Sequence, residues 1–502
     1  MNRKHIIVII AILVILCACA FALTNTNTIT NSVSVDASAL EDKGSLIVDA
    51  KSLDENNGFY HTDSADVNGI LIKNGGILKL ANSILNKTGD TATSGDDADF
   101  YGVNSAILVN TNGTLDIENV EITTNSKGSN GIFVTNANAS SGGSSQGGAG
   151  GEPPEATGEG GGSQGGDGGQ APAMPEGDGG SGQGGQSPGG SPGEATVEGN
   201  TQANIKNVKI TTHSDKSRGL DATYNGIINA ENVIINTDGQ SCAALATDRG
   251  EGQVHVKNSE INTGVSKTSG RGSPLIYSTG NITAENTKGT SFVSQIACIE
   301  GKNSIELKDC DLTGYAEGNR KDGDSYVDLG GVFIYQSMSG DADVGTSLFN
   351  AENSKLSISS NSSVYKDAPM FHVTNTACVI DLKNTELSFG SGIFLEIAGQ
   401  NQWGNTGSNG GQAELNTDGE NIEGNVIVDS ISSLKWIMKN TEFKGAINST
   451  GNTTVDVADG STWTLTGDST VSSLSVSGKI DYGSYTLTVN GQKYDSSNPF
   501  KG

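Results

Sequence analysis

One short phrase returns along most of this chain: an apolar-polar alternation, an Asn followed by a small or β-branched residue, and a second alternation. Clear copies are residues 115–122 (LDIENVEI) and 254–261 (VHVKNSEI). The Asn recurs from Asn207 to Asn232 and Asn258, a period of about 25 residues. Alternation places aliphatic side chains on one face of a strand and charged ones on the other. Because one such unit cannot bury its apolar face alone, the repeat predicts stacked coils.

Each repeat also carries a second apolar run, as in residues 131–134 (GIFV) and 331–335 (GVFIY). Two or three strands in about 25 residues are typical of a coil whose core forms only when its neighbours stack on it. The expected fold is therefore all-β: a single-stranded right-handed parallel β-helix, or solenoid. A core built by stacking also suits a chain with only 5% aromatic residues.

The recurring Asn is expected to form a ladder at one corner of the coils. Asn tolerates left-handed backbone, and its amide reaches the equivalent amide of the next coil, which lies about 4.8 Å away. A structural role is therefore preferred to a ligand role. The ladder residues are Asn82, Asn119, Asn207, Asn232, Asn258, Asn286, Asn353 and Asn384.

Composition limits the partners of the chain. The 57 acidic residues exceed the 30 basic ones, which gives a formal net charge of −27. Binding to nucleic acid requires Lys and Arg to replace counterions on phosphates, so nucleic acid is excluded as a partner. The same excess of carboxylates suits solubility outside the cell or binding of divalent cations.

The N-terminus predicts export. Arg3 and Lys4 precede an uncharged apolar run over residues 6–23, which indicates a hydrophobic helix serving as a signal peptide or as an N-terminal membrane anchor over residues 1–22. A lipoprotein-like sequence also makes Cys19 a lipidation candidate. Contact with the membrane is expected only through this segment, so the protein is predicted to be secreted or displayed on the cell surface.

The rest of the chain divides by composition. A polar linker (23–36) precedes the first coils (37–139), and a Gly-, Pro-, Ser- and Glu-rich insertion (140–194) then interrupts the repeat. The insertion cannot bury enough apolar surface to order itself, so we expect a disordered loop. The repeat resumes in a main body with its C-terminal cap (195–495), followed by a short tail (496–502).

Several phrases of the repeat resemble those of pectate-lyase-like right-handed β-helix proteins, a group of predicted cell-surface or adhesin-like proteins of anaerobic bacteria and methanogenic archaea. They are residues 217–224 (SRGLDATY), 243–250 (AALATDRG) and 335–345 (YQSMSGDADVG). Most of the chain takes part in the resemblance. It implies the fold and a location at the cell surface, but no agreed biochemical activity.

The turns after the second strand supply the candidate binding residues. If these turns stack, they form one acidic stripe with interleaved aromatic rings, a surface that suits stacking on sugar rings and accepting hydrogen bonds from sugar hydroxyls. The expected function is non-catalytic adhesion or glycan binding, with glycans or neighbouring cell surfaces as partners. The stripe comprises Asp221, Tyr224, Asp248, Arg249, Tyr277, Glu300, Tyr335, His372 and Glu396.

Catalysis is the alternative, as a polysaccharide lyase or glycoside hydrolase acting on acidic polysaccharide. Hydrolysis of the polygalacturonase type is disfavoured because no His lies between glycines. A lyase would use Arg218 or Arg249 beside Asp221 and Asp248. An Arg next to an Asp on a solvated face is more often a plain ion pair, so no catalytic residue is assigned.

Acidic loops are the remaining candidates for a ligand site. No cofactor is expected, with Ca²⁺ as the alternative, because carboxylate oxygens are its preferred ligands. The calcium candidates are Asp322, Asp324, Asp328, Asp341 and Asp343, and residues 96–99 form another acidic run. Four cysteines lie beyond the N-terminal segment without zinc-site spacing, and we expect buried thiols. They are Cys242, Cys298, Cys310 and Cys378.

Overall fold

The computed structural model describes residues 33–92, 95–137, 199–267, 272–317, 320–322 and 325–501, with the backbone alone for 320–322 and 325–327. The regular secondary structure of these residues is almost entirely short strands, with one 3₁₀ turn (Ala37–Ala39) and one α-helix, α1 (Gly95–Tyr101). Nearly all strand pairs are parallel and join one coil to the next. The predicted all-β class is confirmed, and the long parallel sheets are consistent with a β-helix.

The first sheet contains 22 strands and contributes two strand segments to most coils. Its strands are β1 (Glu41–Gly44), β3 (Ser52–Asn56), β4 (Gly58–Thr62), β6 (Ile77–Thr88), β8 (Thr114–Asn125), β10 (Gln202–Thr212), β12 (Ile227–Glu231), β13 (Ile234–Thr237), β15 (Gln253–Lys257), β16 (Glu260–Thr263), β18 (Asn281–Glu285), β19 (Lys288–Ser291), β21 (Ser304–Lys308), β22 (Asp311–Gly314), β26 (Thr346–Glu352), β27 (Lys355–Ile358), β29 (Ala377–Lys383), β30 (Glu386–Ser388), β32 (Gln412–Asp418), β35 (Ser433–Lys439), β38 (Asn452–Val457) and β41 (Ser473–Val476).

The second sheet contains 13 strands, one per coil, in strict chain order. They are β2 (Leu46–Asp49), β5 (Ile70–Lys73), β7 (Ile107–Asn110), β9 (Ile132–Thr135), β11 (Leu220–Thr223), β14 (Leu245–Thr247), β17 (Ile276–Ser278), β20 (Ala297–Glu300), β25 (Val332–Tyr335), β28 (Phe371–Thr374), β31 (Ile393–Ile397), β34 (Asn425–Val428) and β37 (Ile447–Ser449).

Three small sheets complete the structure. An antiparallel hairpin joins two strands, and another antiparallel pair ends the last coil, where it satisfies a strand edge that would otherwise be open. The hairpin is β23 (Arg320–Asp322) with β24 (Ser325–Val327); the other sheets are β33 (Asn421–Glu423), β36 (Glu442–Lys444), β39 (Thr462–Thr464) and β42 (Lys479–Asp481), and β40 (Ser469–Val471), β43 (Leu487–Val489) and β44 (Gln492–Tyr494).

The core lies inside the coils and follows from the alternation in the sequence. In β12, for example, Ile228 and Ala230 are buried while Asn229 and Glu231 are exposed. Aromatic side chains in the C-terminal coils continue this core as a column of rings with successive centroids 4.7–5.9 Å apart. The column comprises Phe349, Phe371, Phe394, Trp436, Phe443 and Trp463.

The Asn of the repeat lies at the corner where each coil bends between two segments of the first sheet. All eight predicted ladder residues have a positive φ of 45–55°, the left-handed region that Asn tolerates better than most residues. Asn286 donates from Nδ2 to Asn258 Oδ1 at 2.7 Å, and Asn384 donates to Asn353 at 3.2 Å. The row is interrupted where an amide donates to a Glu, as Asn207 does to Glu118 at 3.5 Å.

Charged side chains of alternating sign form a second row on the outer face of the first sheet. Lys257 is in register with Glu231 on one side and Glu285 on the other, and it lies 3.1 Å from the Glu285 carboxylate. Each charge thus has unlike charges on the adjacent coils, which favours in-register stacking. The row, the charge ladder, comprises Glu118, Lys206, Glu231, Lys257, Glu285, Lys308, Glu352, Lys383, Asp418 and Lys439.

Several sequence-based expectations lie outside the described residues. These are the N-terminal hydrophobic helix, Cys19, most of the polar linker and the Gly-rich insertion. The expected N-terminal helix therefore gains no support from the structure. Within the described ranges, the helices are too short and too polar to cross a membrane.

Candidate functional site

The register of the second sheet brings candidate residues into one column on its outer face. Asp221, Tyr277, His372 and Glu396, all predicted from the sequence, belong to it. Each coil contributes one residue, and the small Ala246 separates Asp221 from the residues of the later coils, which include Tyr277 and Phe333. In order the column reads Asp221, Ala246, Tyr277, Cys298, Phe333, His372 and Glu396.

Three segments that project from the coils cover this outer face. Helix α1 packs on the coil of β11, where Thr223 Oγ1 donates to the Phe100 carbonyl at 2.9 Å. The segment 336–345 reaches back to Arg249 through Asp341. The segment 398–411 places the Trp403 ring 5.0 Å from that of Tyr335.

Because of this cover, the expected solvated stripe is largely buried. Asp221 is 0% exposed, Glu300 2% and His372 4%. Asp248 and Tyr335 are also buried, whereas Tyr224, Arg249, Tyr277 and Glu396 stay partly exposed. The expectation of an open acidic surface is corrected accordingly. Alternation identified residues that point outward, but it carried no information about segments that fold over them.

Arg218 is the centre of a buried charge cluster. Its Nη1 lies 2.6 Å from Asp99, its Nη2 lies 2.8 Å from Asp248, and its Nε lies 3.6 Å from Asp221. Lys216 also contacts Asp99, at 3.2 Å. With its side chain 10% exposed, Arg218 does not form the plain solvated ion pair expected from the sequence. Asp99 was missed as a partner, because its acidic run suggested a calcium loop.

The carboxylates of this cluster exceed its cations, which shifts their protonation. Burial raises the pKa of Asp221 well above its ordinary value, and the neighbouring Asp248 charge adds to the effect. Burial also raises the pKa of Asp248 to about 6, against the attraction of Arg218. Neither oxygen of Asp221 has a hydrogen-bond partner. Buried carboxyls with raised pKa values and an adjacent partner are a feature of functional sites.

Aromatic rings border the charge cluster on the side of α1. Tyr101 and Tyr224 stack with centroids 5.7 Å apart and planes at 4°. Arg249 lies 3.8 Å above the centroid of Phe100 and donates from Nε to Asp341 at 3.1 Å. The two tyrosine rings are partly exposed, so they form a rim next to the buried carboxylates.

A second polar group lies toward the C-terminal coils around Glu300. Its carboxylate accepts a hydrogen bond from the Tyr277 hydroxyl at 2.9 Å and another from the Ser337 hydroxyl. Burial raises the pKa of Glu300, although both hydroxyls act against that shift. Tyr335, in register with Glu300 on the next coil, stacks on Phe333 at 4.6 Å.

Trp403 and His372 close this end of the face. Trp403 donates from Nε1 to Asp328 Oδ1 at 2.6 Å. His372 has its Nδ1 2.8 Å from the Leu329 carbonyl and its Nε2 3.1 Å from the Gln400 amide nitrogen. The sequence did not identify Trp403, since its segment falls outside the repeat and gives no signal of where it folds.

The predicted calcium ligands do not converge in the described residues. Asp341 pairs with Arg249, Asp343 lies 3.1 Å from Lys302, and Asp328 bonds to Trp403. Asp324 and the side chain of Asp322 lie outside what the structure describes. Over the described part of the chain, His, Cys, Asp and Glu form no group of three or more suited to a metal ion.

The four cysteines beyond the N-terminal segment are free and buried, as predicted. Burial raises the pKa of Cys242 and of Cys378 to about 12 and that of Cys310 to about 11. A thiol with a raised pKa is a poor nucleophile because the thiolate is the reactive form. Cys298 lies in the outer column, where burial raises its pKa as well.

A separate groove of about 560 Å³ runs along the first sheet between rows of stacked polar side chains. Its walls include Lys206, Glu231 and Lys257 of the charge ladder. These charges already have unlike neighbours on adjacent coils, so the groove offers few unsatisfied groups to a ligand. The outer face of the second sheet is the better candidate.

The fold and this face together define an all-β protein of stacked parallel coils, with a polar and aromatic site built under segments that leave the coils. Comparison of the sequence with protein-family models and with curated proteins gives no match.

Proposed function

We propose that the protein is exported and acts at the cell surface as a right-handed β-helix of the pectate-lyase-like kind. The basic residues and apolar run at its N-terminus support export. The stacked parallel sheets support the coil, and the phrases shared with surface proteins of this kind support the location. The proposal is compatible with two modes of display. The protein is either released after secretion or retained at the surface, through an N-terminal anchor or through lipid on Cys19.

At the surface, we propose that the outer face of the second sheet binds glycans. The observation that carries this proposal is the stacked pair of Tyr101 and Tyr224, partly exposed beside buried carboxylates. Trp403 and Tyr277 add further partly exposed rings on the same face. Flat rings bind the apolar faces of sugars, and the partly exposed Glu396 carboxylate of the same face can accept hydrogen bonds from sugar hydroxyls.

The negative charge of this face disfavours glycans that themselves carry carboxylates. Both arginines on the face are already paired, Arg218 with three aspartates and Arg249 with Asp341. A polysaccharide that carries carboxylates would therefore meet an excess of negative charge, and neither of these arginines is free to pair with it. Neutral or amine-bearing sugars suit the face better than uronic acids.

Hydrolysis of the bound glycan is the second candidate function. Asp221 and Asp248 favour it, because a general acid must hold its proton near neutral pH and the pKa of Asp248 is raised to about 6. Their burial beneath α1 favours binding over catalysis, since a sugar must reach both carboxyls for the reaction.

The two functions are separated by one set of measurements on the purified protein. Its retention on immobilised neutral, amine-bearing and uronic-acid polysaccharides is measured, and the supernatants are assayed for new reducing ends and unsaturated products. Retention without products supports binding. Saturated products with new reducing ends that disappear in Asp248→Asn establish hydrolysis, whereas unsaturated products indicate elimination by a lyase. Absence of retention on every polymer overturns the glycan proposal.

Variants of the rim locate the binding face. Tyr224→Ala and Trp403→Ala each remove a ring, and a stacking contact of about 0.5–1.5 kcal/mol corresponds to roughly a 2- to 13-fold weaker binding. Tyr485→Ala is the matched control, because Tyr485 is an exposed tyrosine of the last coil. Equal loss in all three variants would place binding elsewhere.

A further inference from the structure

The first coil ends the described part of the solenoid with open strand edges. Its strands β1, β2 and β3 each pair with a single strand of the next coil, namely β4, β5 and β6. The last coil differs, because β44 turns back along β43 and both Tyr494 and Phe500 pack against the end of the core. An open edge carries a row of unpaired N–H and C=O groups that can pair with another chain.

A carboxylate ends one aliphatic column of the core at this first coil. Leu80, Ile117 and Ile205 occupy the same inward position on the three following coils and are at most 3% exposed. Glu55 is the first member of that column, and its side chain is 20% exposed. The position that the repeat gives to a buried aliphatic side chain is therefore charged where the core ends.

Lys43 reaches Glu55 from another segment of the first coil. Its Nζ donates to Glu55 Oε2 at 2.5 Å, and the buried Tyr60 hydroxyl donates to the same oxygen at 3.2 Å. The register of β1 shifts between Asp42 and Gly44, so Lys43 is the extra residue of a bulge, a feature that redirects a side chain. Because β1 and β3 are separate segments, this end pair of Lys43 and Glu55 spans the end of the core.

Apolar side chains lie next to the end pair. Leu46 and Leu53 are partly buried and pack against the core, and Val48 of the same coil is fully buried. Apolar surface beside open strand edges favours association with another chain. Inward-pointing charges on edge strands oppose it, because a partner would have to take these charges out of water.

We infer that the N-terminal end is a self-association surface whose partner is the same end of a second copy, and that the end pair keeps this surface unoccupied. Two copies related by a two-fold axis would pair their β2 strands antiparallel, with the same residues on both sides. The cover on the last coil obstructs head-to-tail stacking, so the surface leads to dimers and not to fibres. The inference does not depend on which ligand the second sheet binds.

Removal of both charges tests the inference. Lys43→Met combined with Glu55→Leu continues the aliphatic column to the end of the core. At concentrations where the wild type is a monomer, light scattering after gel filtration should show a doubling of the molar mass. Hydrogen exchange of the β2 amides should become slower in the dimer.

Three results would overturn the inference. The first is a folded double variant that stays monomeric. The second is open-ended assembly in place of a dimer. The third is a wild type that is already dimeric with its β2 amides protected.

A matched control separates the end of the core from a general effect of lost charge. Lys435→Met combined with Glu414→Leu makes the same chemical change at an exposed ion pair of 3.1 Å between β35 and β32, away from the first coil. This variant should stay monomeric, and its dimerisation to the same extent would contradict the inference.

Glu55→Leu alone provides a second route if the double variant does not fold, as checked by circular dichroism. The flexible stem of Lys43 can then carry its ammonium to water. We expect this variant to dimerise more weakly than the double variant. A folded Glu55→Leu protein with no dimer at any concentration would count against the inference.

Discussion

Arg218 donates from Nη1 to the Asp99 carboxylate at 2.6 Å, so helix α1 is held by an ion pair on the coil that it covers. Two further aspartates approach the same guanidinium from its own and the next coil. One residue thus links three parts of the site.

Removal of this guanidinium should strongly destabilise the protein. Arg218→Met leaves Asp221 and Asp248 buried without their cation and Asp99 with Lys216 alone, and loss of one partner of a buried ion pair costs about 3–5 kcal/mol. Urea unfolding followed by circular dichroism measures the loss. Lys257→Met, which removes an exposed ion pair, should cost less than about 1 kcal/mol; equal effects would show that the cluster is not structurally important.

The carboxyl pair beside Arg218 predicts a dependence of stability on pH. Because the pKa of Asp248 is raised from 3.8 to about 6 in the folded state, its protonated form contributes stability that is complete below the unfolded pKa. This contribution, on the order of 3 kcal/mol, is lost as the pH rises from about 4 through 6. Thermal unfolding of Asp248→Asn should show a flatter profile over that window. An unchanged slope would contradict the shift.

The Glu420 carboxyl, in a different coil, predicts a second dependence of stability on pH. Its Oε1 accepts the Thr385 N–H at 2.8 Å, its Oε2 has no hydrogen-bond partner, and burial raises its pKa to about 7. Stability from the protonated form is present below pH 4.5 and lost as the pH rises through 7. Glu420→Gln should therefore stabilise the protein at pH 8 by about 1–3 kcal/mol but not at pH 4. Glu414→Gln, at a more exposed position, serves as the control.

The left-handed Asn residues of the repeat predict how strongly different substitutions destabilise the protein. Asn286→Ala should cost about 1–2 kcal/mol for left-handed backbone plus about 1 kcal/mol for the lost amide bond. Asn286→Gly should lose mainly the hydrogen bond to Asn258, because Gly adopts the left-handed backbone without strain. Asn229→Ala tests the bond alone, because Asn229 donates to Asn204 at 3.2 Å from a strand. If Asn229→Ala reduced the free energy of unfolding as much as Asn286→Ala, left-handed backbone conformation would not explain why Asn occurs at this position of the repeat.

The charge ladder predicts an effect that depends on salt. Lys257→Glu places three like charges on consecutive coils, with Glu231 and Glu285 as neighbours, and should destabilise by about 0.2–1 kcal/mol at low ionic strength. At 1 M salt, where the screening length is about 3 Å, the difference from wild type should shrink. Thermal unfolding at the two salt concentrations measures it, and a loss that is independent of salt would indicate packing instead of charge.

The coils could be predicted because the repeat records them locally. Ile228 and Ala230 alternate with Asn229 and Glu231, and Asn232 follows at the corner, so strand, face and bend are all contained in a few consecutive residues. The sequence also predicted the column of Asp221, Tyr277, His372 and Glu396, because residues at equivalent points of a repeat lie one above another when coils stack in register.

The contacts that turn this column into a site could not be predicted. Asp99, Trp403 and Asp341 come from segments without the repeat, so no periodicity indicates where they fold. Their positions depend on contacts with distant coils, such as Asp99 with Arg218 and Trp403 with Tyr335. The same contacts changed an expected solvated stripe into buried carboxylates with raised pKa values.

The sequence by itself determined the stacked coils, the inward and outward faces of each strand, and the left-handed Asn corners, because each depends on residues adjacent in the chain. Only the tertiary structure decided which outward face is covered, which carboxylates surround Arg218, and that Lys87 is fully buried. Burial and charge pairing arise between residues far apart in sequence, and their energies depend on the water that the folded segments exclude.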